Sequence, residues 1–287
     1  MLGARPRPVL EGLSTAVYGL VLPETRAITR RLSAEQPEIL YERAYDDVQD
    51  AAHISLLRSA RKQLHAQIAK AIETHFPETV DSQPELLAQH YADSGLAEKS
   101  VAYWERAGQR SAARSAMAEA AAQFQKGLDQ LMLLPDDGGR RRQELELRSA
   151  LGAVLQAVKG LAAPETGIAY ARARELWEQL GSPSEFFHVP AGQSIYHMFR
   201  GEFDLALRLD EDLLNLSRQR GDSSGLVLGC DSAGRNLMLT GRFASSQSNL
   251  EEGLALYDPT SHHSLERDEF RFVHILSLPS SVSTVRV

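Results

Sequence analysis

Five lysines, nine histidines and one cysteine bound the chemistry open to this chain of 287 residues. A phosphate-cradling loop needs glycine-rich backbone closed by Gly-Lys-Ser/Thr, so that amides and an ammonium surround the phosphates. None of Lys62, Lys70, Lys99, Lys126 and Lys159 follows a glycine, which excludes that loop from the sequence. A nucleotide cyclase core would need metal-binding carboxylates on a sheet, and no alternating strand pattern is present to build one. Zinc chemistry finds no His-Glu-x-x-His, and Cys230 alone cannot begin a cysteine site. His262 and His263 are adjacent and diverge on any regular element, so both are expected in a loop. His65 and His75 are ten residues apart, with Glu73 not bridging them, and read as solvated or hydrogen-bonded side chains. His90 and Tyr91 beside Gln89 could form a small polar site, but helix packing is the better reading. Cys230, within Gly229-Cys230-Asp231, reads as a packing thiol, and no Gly-x-Ser-x-Gly elbow accompanies it. Arg140-Arg141-Arg142 is the one compact basic cluster. It could contact phosphate or an acidic partner, although a solvated helix start accounts for it more simply. No catalytic, cofactor-binding or metal residue is therefore assigned, and a non-enzyme without cofactors is expected.

What remains is architecture. Between Gln83 and Leu131, Trp104 is followed by Ala107 and Gly108, then by Ala120 and Phe124, then by Gly127 and Leu128. This is the spacing of a tetratricopeptide-type (TPR-like) hairpin. Small residues at Gly108, Ala120 and Gly127 let two antiparallel helices approach, while Trp104, Phe124 and Leu128 fill the space between them. Ser111 stands where an aromatic is usual, and Pro135 arrives late. Further on, Gly201-Glu202-Phe203 and Gly241-Arg242-Phe243 lie forty residues apart, each between two helical runs. The glycine is expected to end one helix in a left-handed conformation, and the aromatic to plug the base of the hairpin.

These signals predict an all-α fold, a right-handed α-solenoid of TPR-like helical hairpins with a repeat of about 40 residues. Residues 1–45, broken by prolines, form a poorly defined N-terminal segment. Residues 46–95 read as a helical linker in which Leu64, Ile68 and Ile72 form a stripe closed by Phe76. A helix then opens at Asp81-Ser82-Gln83-Pro84, with a capping residue ahead of a proline in the first turn; it buries Leu86, Leu87 and Tyr91 and stops at Gly95. Residues 96–258 hold about four hairpins, turning near Ser115, at 160–164, at Gly201 and at Gly241, with Pro135 to Gly139 as a plain loop. Leu250, Leu254 and Tyr257 are expected to continue the last apolar stripe. Residues 259–287 read as an irregular tail, truncated or altered in frame.

Composition narrows the function classes. Hydrophobic residues make up 43%, charged residues 24% and aromatics only 7%, a mixture suited to close-packed helices. The net charge of −7 gives no global attraction to nucleic acid or anionic membrane. That balance also argues against a DNA-binding winged helix near residues 1–75. Arg5 and Arg7 precede a mildly apolar stretch at 13–22, but Glu11 interrupts it, so a secretion signal is not expected. The lone cysteine suits a reducing cytoplasm.

Residues 48–257 resemble the C-terminal helical region of large bacterial signalling proteins. These combine a class III adenylate or guanylate cyclase domain, a signal-transduction (AAA/STAND-type) ATPase and a TPR-like tail. The resemblance rests on Val48-Gln49-Asp50-Ala51-Ala52, Leu64-His65-Ala66-Gln67-Ile68, Pro84 through Tyr91, Tyr103-Trp104-x-x-Ala107-Gly108, and Gly253 through Pro259. Arg43 through Asp47 depart from the family's aromatic-x-His-Ala-Leu, and His53 replaces a tyrosine. The resemblance implies a detached sensory or interaction module without the catalytic domains.

The expected function is therefore a noncatalytic module that holds a protein or peptide ligand in a concave groove lined by the first helices of successive hairpins. Gln193, Tyr196, Arg200 and Asn236 are its candidate groove contacts. Uncapped repeat ends would also allow self-association. The alternative is a regulatory fragment of a cyclase/ATPase-type regulator acting on a separately encoded catalytic partner.

Overall fold

The computed structural model describes residues 58–262. Expectations for residues 1–57 and 263–287 lie outside them. The chain divides into two compact units, Met1–Ile68 and Ala69–Val287. Of the first, only the opening part of helix α1 (Arg58–His75) is described.

The second unit is helical throughout its described length and contains no strand. After α1 come the single turn α2 (Pro77–Ser82), α3 (Pro84–Ser94), α4 (Ala97–Ala113), α5 (Met117–Leu131), α6 (Gly138–Lys159) and α7 (Pro164–Gln179). A 3-10 turn at Ser184–Phe186 leads to α8 (His188–Phe199), α9 (Phe203–Arg220), α10 (Ser223–Leu239) and α11 (Phe243–Leu256). From α2 onward each helix packs on its sequence neighbour. In addition α4 touches α6, α6 touches α8 and α8 touches α10, so the first helices of successive hairpins form a shared layer.

A repeated local rule generates this stack. Ala88, Gly108, Ser194 and Gly234 are each followed seven residues later by a residue with positive φ, namely Gly95, Ser115, Gly201 and Gly241. At each turn the next amide bonds back five residues, as in Leu96 N–H to the Tyr91 carbonyl at 3.0 Å and Arg242 N–H to Leu237 at 2.9 Å. That 6→1 bond satisfies the carbonyls left free where a helix ends. Five residues beyond the turn stands a second small residue, Ser100, Ala120, Ala206 or Ser246. Facing small residues bring the two backbones close enough for side-chain-to-carbonyl bonds. Ser100 Oγ donates to the Ala88 carbonyl at 2.8 Å, and Ser246 Oγ to Gly234 at 2.7 Å.

In the hairpin α4–α5 the residues of the Trp104 spacing lie at the interface of the two helices. Trp104, Ala120 and Phe124 are buried, and a Cβ at Gly108 would stand 2.5 Å from the Phe124 ring. Ser111, in the slot usually held by an aromatic, is also buried. Ile72 is buried in α1 together with Ala69, which the stripe Leu64, Ile68, Ile72 had not included.

Several boundaries differ from expectation. The pair α3–α4 shows the same turn pattern as α4–α5, α8–α9 and α10–α11. α3 opens with Pro84 in its first turn, and the cap position ahead of it is Gln83, which makes no side-chain capping bond; Asp81, in α2, is held by the Arg106 guanidinium. Leu86 is only half-buried, its place in the core being taken by Ala88. Gly138 and Gly139 are not loop but the first turn of α6, since the Asp137 carboxylate accepts the Arg140 amide at 2.8 Å. Phe203 is half-buried as a plug, whereas Phe243 is 67% exposed. Nothing described lies beyond the last hairpin for it to pack against.

Because the Gly108 position is filled by the Phe124 ring, Gly108→Val should lower unfolding stability by about 2 kcal/mol. Gly138→Ala, where an added Cβ meets nothing within 4 Å, should change it by less than about 0.5 kcal/mol. Urea titrations of the two variants against wild type check this, and equal effects would contradict it.

Candidate functional site

Two surfaces could carry function, the first-helix layer and the outer face of the last hairpin. On the first-helix layer the structure does not assemble the expected groove contacts. Asn236 is 1% exposed and donates to Asp210 Oδ2 at 2.7 Å and Ser194 Oγ at 3.1 Å, so it is a core residue and not a ligand contact. Tyr196 lies flat against Gly167 of α7, where no Cβ could fit beside its ring. Gln193 is half-buried on α8. Arg200 reaches solvent, yet its guanidinium sits 5.6 Å over the Tyr196 ring and donates to Glu202 at 2.8 Å. The other charges of this layer are largely paired among themselves. Arg235 meets Asp231 at 2.8 Å, and Arg142 meets Glu146 at 3.4 Å. Burial, and then the Glu146 charge, hold the Glu105 carboxyl above its ordinary pKa.

The sequence-predicted chemistry resolves in the same way. Arg140 and Arg141 pair with Asp136, and Arg142 with Glu185 at 2.8 Å, so the basic cluster is neutralised within the chain. Cys230 is fully buried, and burial pushes its thiol up to about 11. Tyr91 packs as expected, but its hydroxyl also joins a network with Lys99, Glu73 and Tyr103. His262 lies in the turn after α11, as expected of a loop residue, but it is not solvated. It is buried, accepts the Asp258 amide on Nδ1 at 2.9 Å, and so presents Nε2–H to Ser223 Oγ at 2.9 Å.

A buried polar cluster links α8, α9 and α10, and sequence reasoning missed it. Ser194, Asp210, Ser232 and Asn236 are all enclosed. Ser232 donates to Ser194 at 3.2 Å, and Asp210 Oδ1 and Asn236 Oδ1 find no donor among the described residues. Burial raises the Asp210 carboxyl to about 6, opposed by Ser194, Ser232, Asn236 and the Arg235 charge. A signal did exist in the forty-residue period, because Asp210 occupies the position of Leu250 in the next hairpin.

The outer face of α11 is an exposed apolar surface. Met238, Phe243, Leu250 and Leu254 surround a groove of about 320 Å³, rimmed by Gln247 and Glu251. Leu254 is 76% exposed, whereas its equivalent forty residues earlier, Leu214, is 5% exposed beneath α10. Water gains nothing from such a face, and covering it is favourable by roughly 25 cal/mol per Å². Apolar surface of this kind marks a place where another element docks.

No protein-family model matches the chain. An uncharacterized protein of Rhizobium meliloti (strain 1021) is 27% identical over 218 residues, 74% of this chain. The chain spans only 20% of that protein's length. The crystal structure of BtubC (BKLC) from P. vanneervenii superposes with a TM-score of 0.50 at 12% identity, over 81% of this chain and 99% of that one. At that identity the likeness concerns the fold, and it is a helical one. No described helix is long and apolar enough to cross a membrane.

The Asp210 site makes a signed prediction. Its carboxyl binds a proton more tightly folded than unfolded, so its contribution is fully present below about pH 4. That contribution falls away as pH rises through about 6. Asp210→Asn removes the charge and offers a donor to the unpaired Asn236 oxygen. Relative to wild type, this variant should gain roughly 3 kcal/mol between pH 4 and pH 7.5. Urea midpoints at both pH values check it, and a difference independent of pH would contradict it.

Proposed function

We propose that this chain is a noncatalytic TPR-like interaction or sensory module of a bacterial signalling protein, acting in the cytoplasm by holding another protein. The observation that carries the reading is the open apolar face of α11, equivalent to a face that α10 covers one repeat earlier. Helical stacks recognise partners through side chains displayed on such rigid surfaces. The internal pairing of the charges on the first-helix layer weighs against a groove built on Gln193, Tyr196, Arg200 and Asn236 in favour of the end face. Self-association through the same face belongs to this reading as a second mode.

The regulatory-fragment reading, in which the chain controls a separately encoded cyclase or ATPase, draws support from one fact. The matched relative is far longer than the span it shares with this chain. Both readings need a protein partner, and they differ in whether that partner's nucleotide turnover changes when it is bound.

A photo-crosslinking residue placed at 243 or 254 in the full chain, expressed in its own cells, tests the interaction reading. Both positions should capture the same segment of the same protein, while position 215, exposed on α9, should not. Indiscriminate adducts from all three positions, or none from 243 and 254, would contradict it.

A further inference from the structure

We propose that Asp210 is a proton-operated latch between the α8–α9 pair and the α10–α11 pair: protonated, it closes their buried seam, and ionised, it lets α10–α11 part from α9 as a unit.

The seam is short of hydrogen-bond donors. Asn236 on α10 donates both amide hydrogens, one to Asp210 Oδ2 at 2.7 Å and one to Ser194 Oγ at 3.1 Å. Ser232, also on α10, donates to Ser194 at 3.2 Å, and Ser194 donates to the Ala206 carbonyl at 3.3 Å. Every side-chain donor of the cluster is then committed, while Asp210 Oδ1 and Asn236 Oδ1 accept from no described residue. Enclosed acceptors without a donor are unfavourable, and most of all when one of them carries a charge. A proton on Asp210 removes the charge and adds the donor that the cluster lacks. One repeat on, Leu250 takes the place of Asp210 and lies against Gly234, the counterpart of Ser194. A seam of this shape therefore closes without polar groups, and the carboxyl makes its closure depend on a proton.

The other titratable groups on the packed helices are engaged elsewhere. On α8, His188 lies beside the Phe186 ring, Tyr196 against Gly167 of α7, and His197 pairs with Glu202 at 2.7 Å. On α9 itself, Asp204, Arg208, Glu211 and Asp212 are exposed. On α10, Arg235 pairs with Asp231 at 2.8 Å. The Arg235 charge favours the ionised form of Asp210, but burial outweighs it and carries the carboxyl to about 6. Burial raises Asp231 as well, opposed by the same arginine.

The geometry of the seam makes the opening local. Across it, Gly229, Cys230 and Ala233 of α10 cover Leu214 of α9. Parting the pairs carries Ser232 and Asn236 away together and gives the Asp210 carboxylate to water. The contacts inside α10–α11, Leu250 on Gly234 and Cys230 on Gly253, stay intact. Rising pH therefore promotes a sub-global opening and leaves the α4–α5 pair closed.

Native-state hydrogen exchange of the full chain at pH 4.5 and pH 7.5, corrected for intrinsic rates, reads the opening constants. At pH 7.5 the α10 and α11 amides should open more readily than those of α4 and α5. Their opening constant should be at least about tenfold larger at pH 7.5 than at pH 4.5. Asp210→Asn should reduce that rise to less than about threefold. Labelling of Cys230, which is buried in the same seam, by an aromatic disulfide should show the same ratio once referenced to the unfolded chain at each pH. Opening constants shared by α10–α11 and α4–α5 would mean that the proton acts on global stability alone, and would overturn the latch. A rise that survives in Asp210→Asn would assign it to Asp231 and overturn the latch too, as would no rise at all.

Discussion

A Cβ atom at Gly108 would stand 2.5 Å from the Phe124 ring, and much of the architecture depends on contacts of that kind. Two helices whose facing positions carry full side chains pack with their axes 8–10 Å apart. In the pairs α3–α4, α4–α5, α8–α9 and α10–α11 one member is glycine, alanine or serine at a fixed place before the turn, and the other is small twelve residues later. The backbones can then come near enough for Ser100 and Ser246 hydroxyls to reach carbonyls of the opposite helix. The left-handed turn residue fixes the register, and repetition of that register stacks the hairpins.

A stack built in this way has a consequence at its end. Each helix surface is built around the clearance of the next, and α11, the last helix described, displays Phe243 and Leu254, which its own hairpin does not cover. Leu214 and Leu254 are chemically the same residue in the same repeat position, and differ only in whether a stripe of small residues lies over them. The interior has one comparable irregularity. At the position of Leu250 the preceding hairpin places Asp210, whose charge is costly to bury and whose pKa rises accordingly. Hydrophobic packing alone does not call for a carboxyl there.

Local spacing made the hairpins legible in the sequence. Gly201 and Gly241 announced their turns because few residues other than glycine tolerate positive φ, and Trp104, Gly108, Ala120 and Phe124 announced a close helix pair. Period alone says which side of a helix is apolar, and is silent on what lies opposite it. That is why Phe243 and Leu254 read as core and are exposed. Asn236 failed for the converse reason. A polar residue on a first helix looks like a ligand contact until Asp210 and Ser194, distant in sequence, are seen to enclose it.

The central claim is that α9 and α11 occupy equivalent repeat positions, and that the outer face covered by α10 on α9 is open on α11. Native-state hydrogen exchange on the full chain tests it most directly, since amides in covered helices open only with larger unfolding events. The account predicts that α11 amides exchange at least about tenfold faster than their α9 counterparts forty residues earlier. Equal protection of α9 and α11 would mean that the outer face of α11 is already covered in the isolated protein, and would contradict the account.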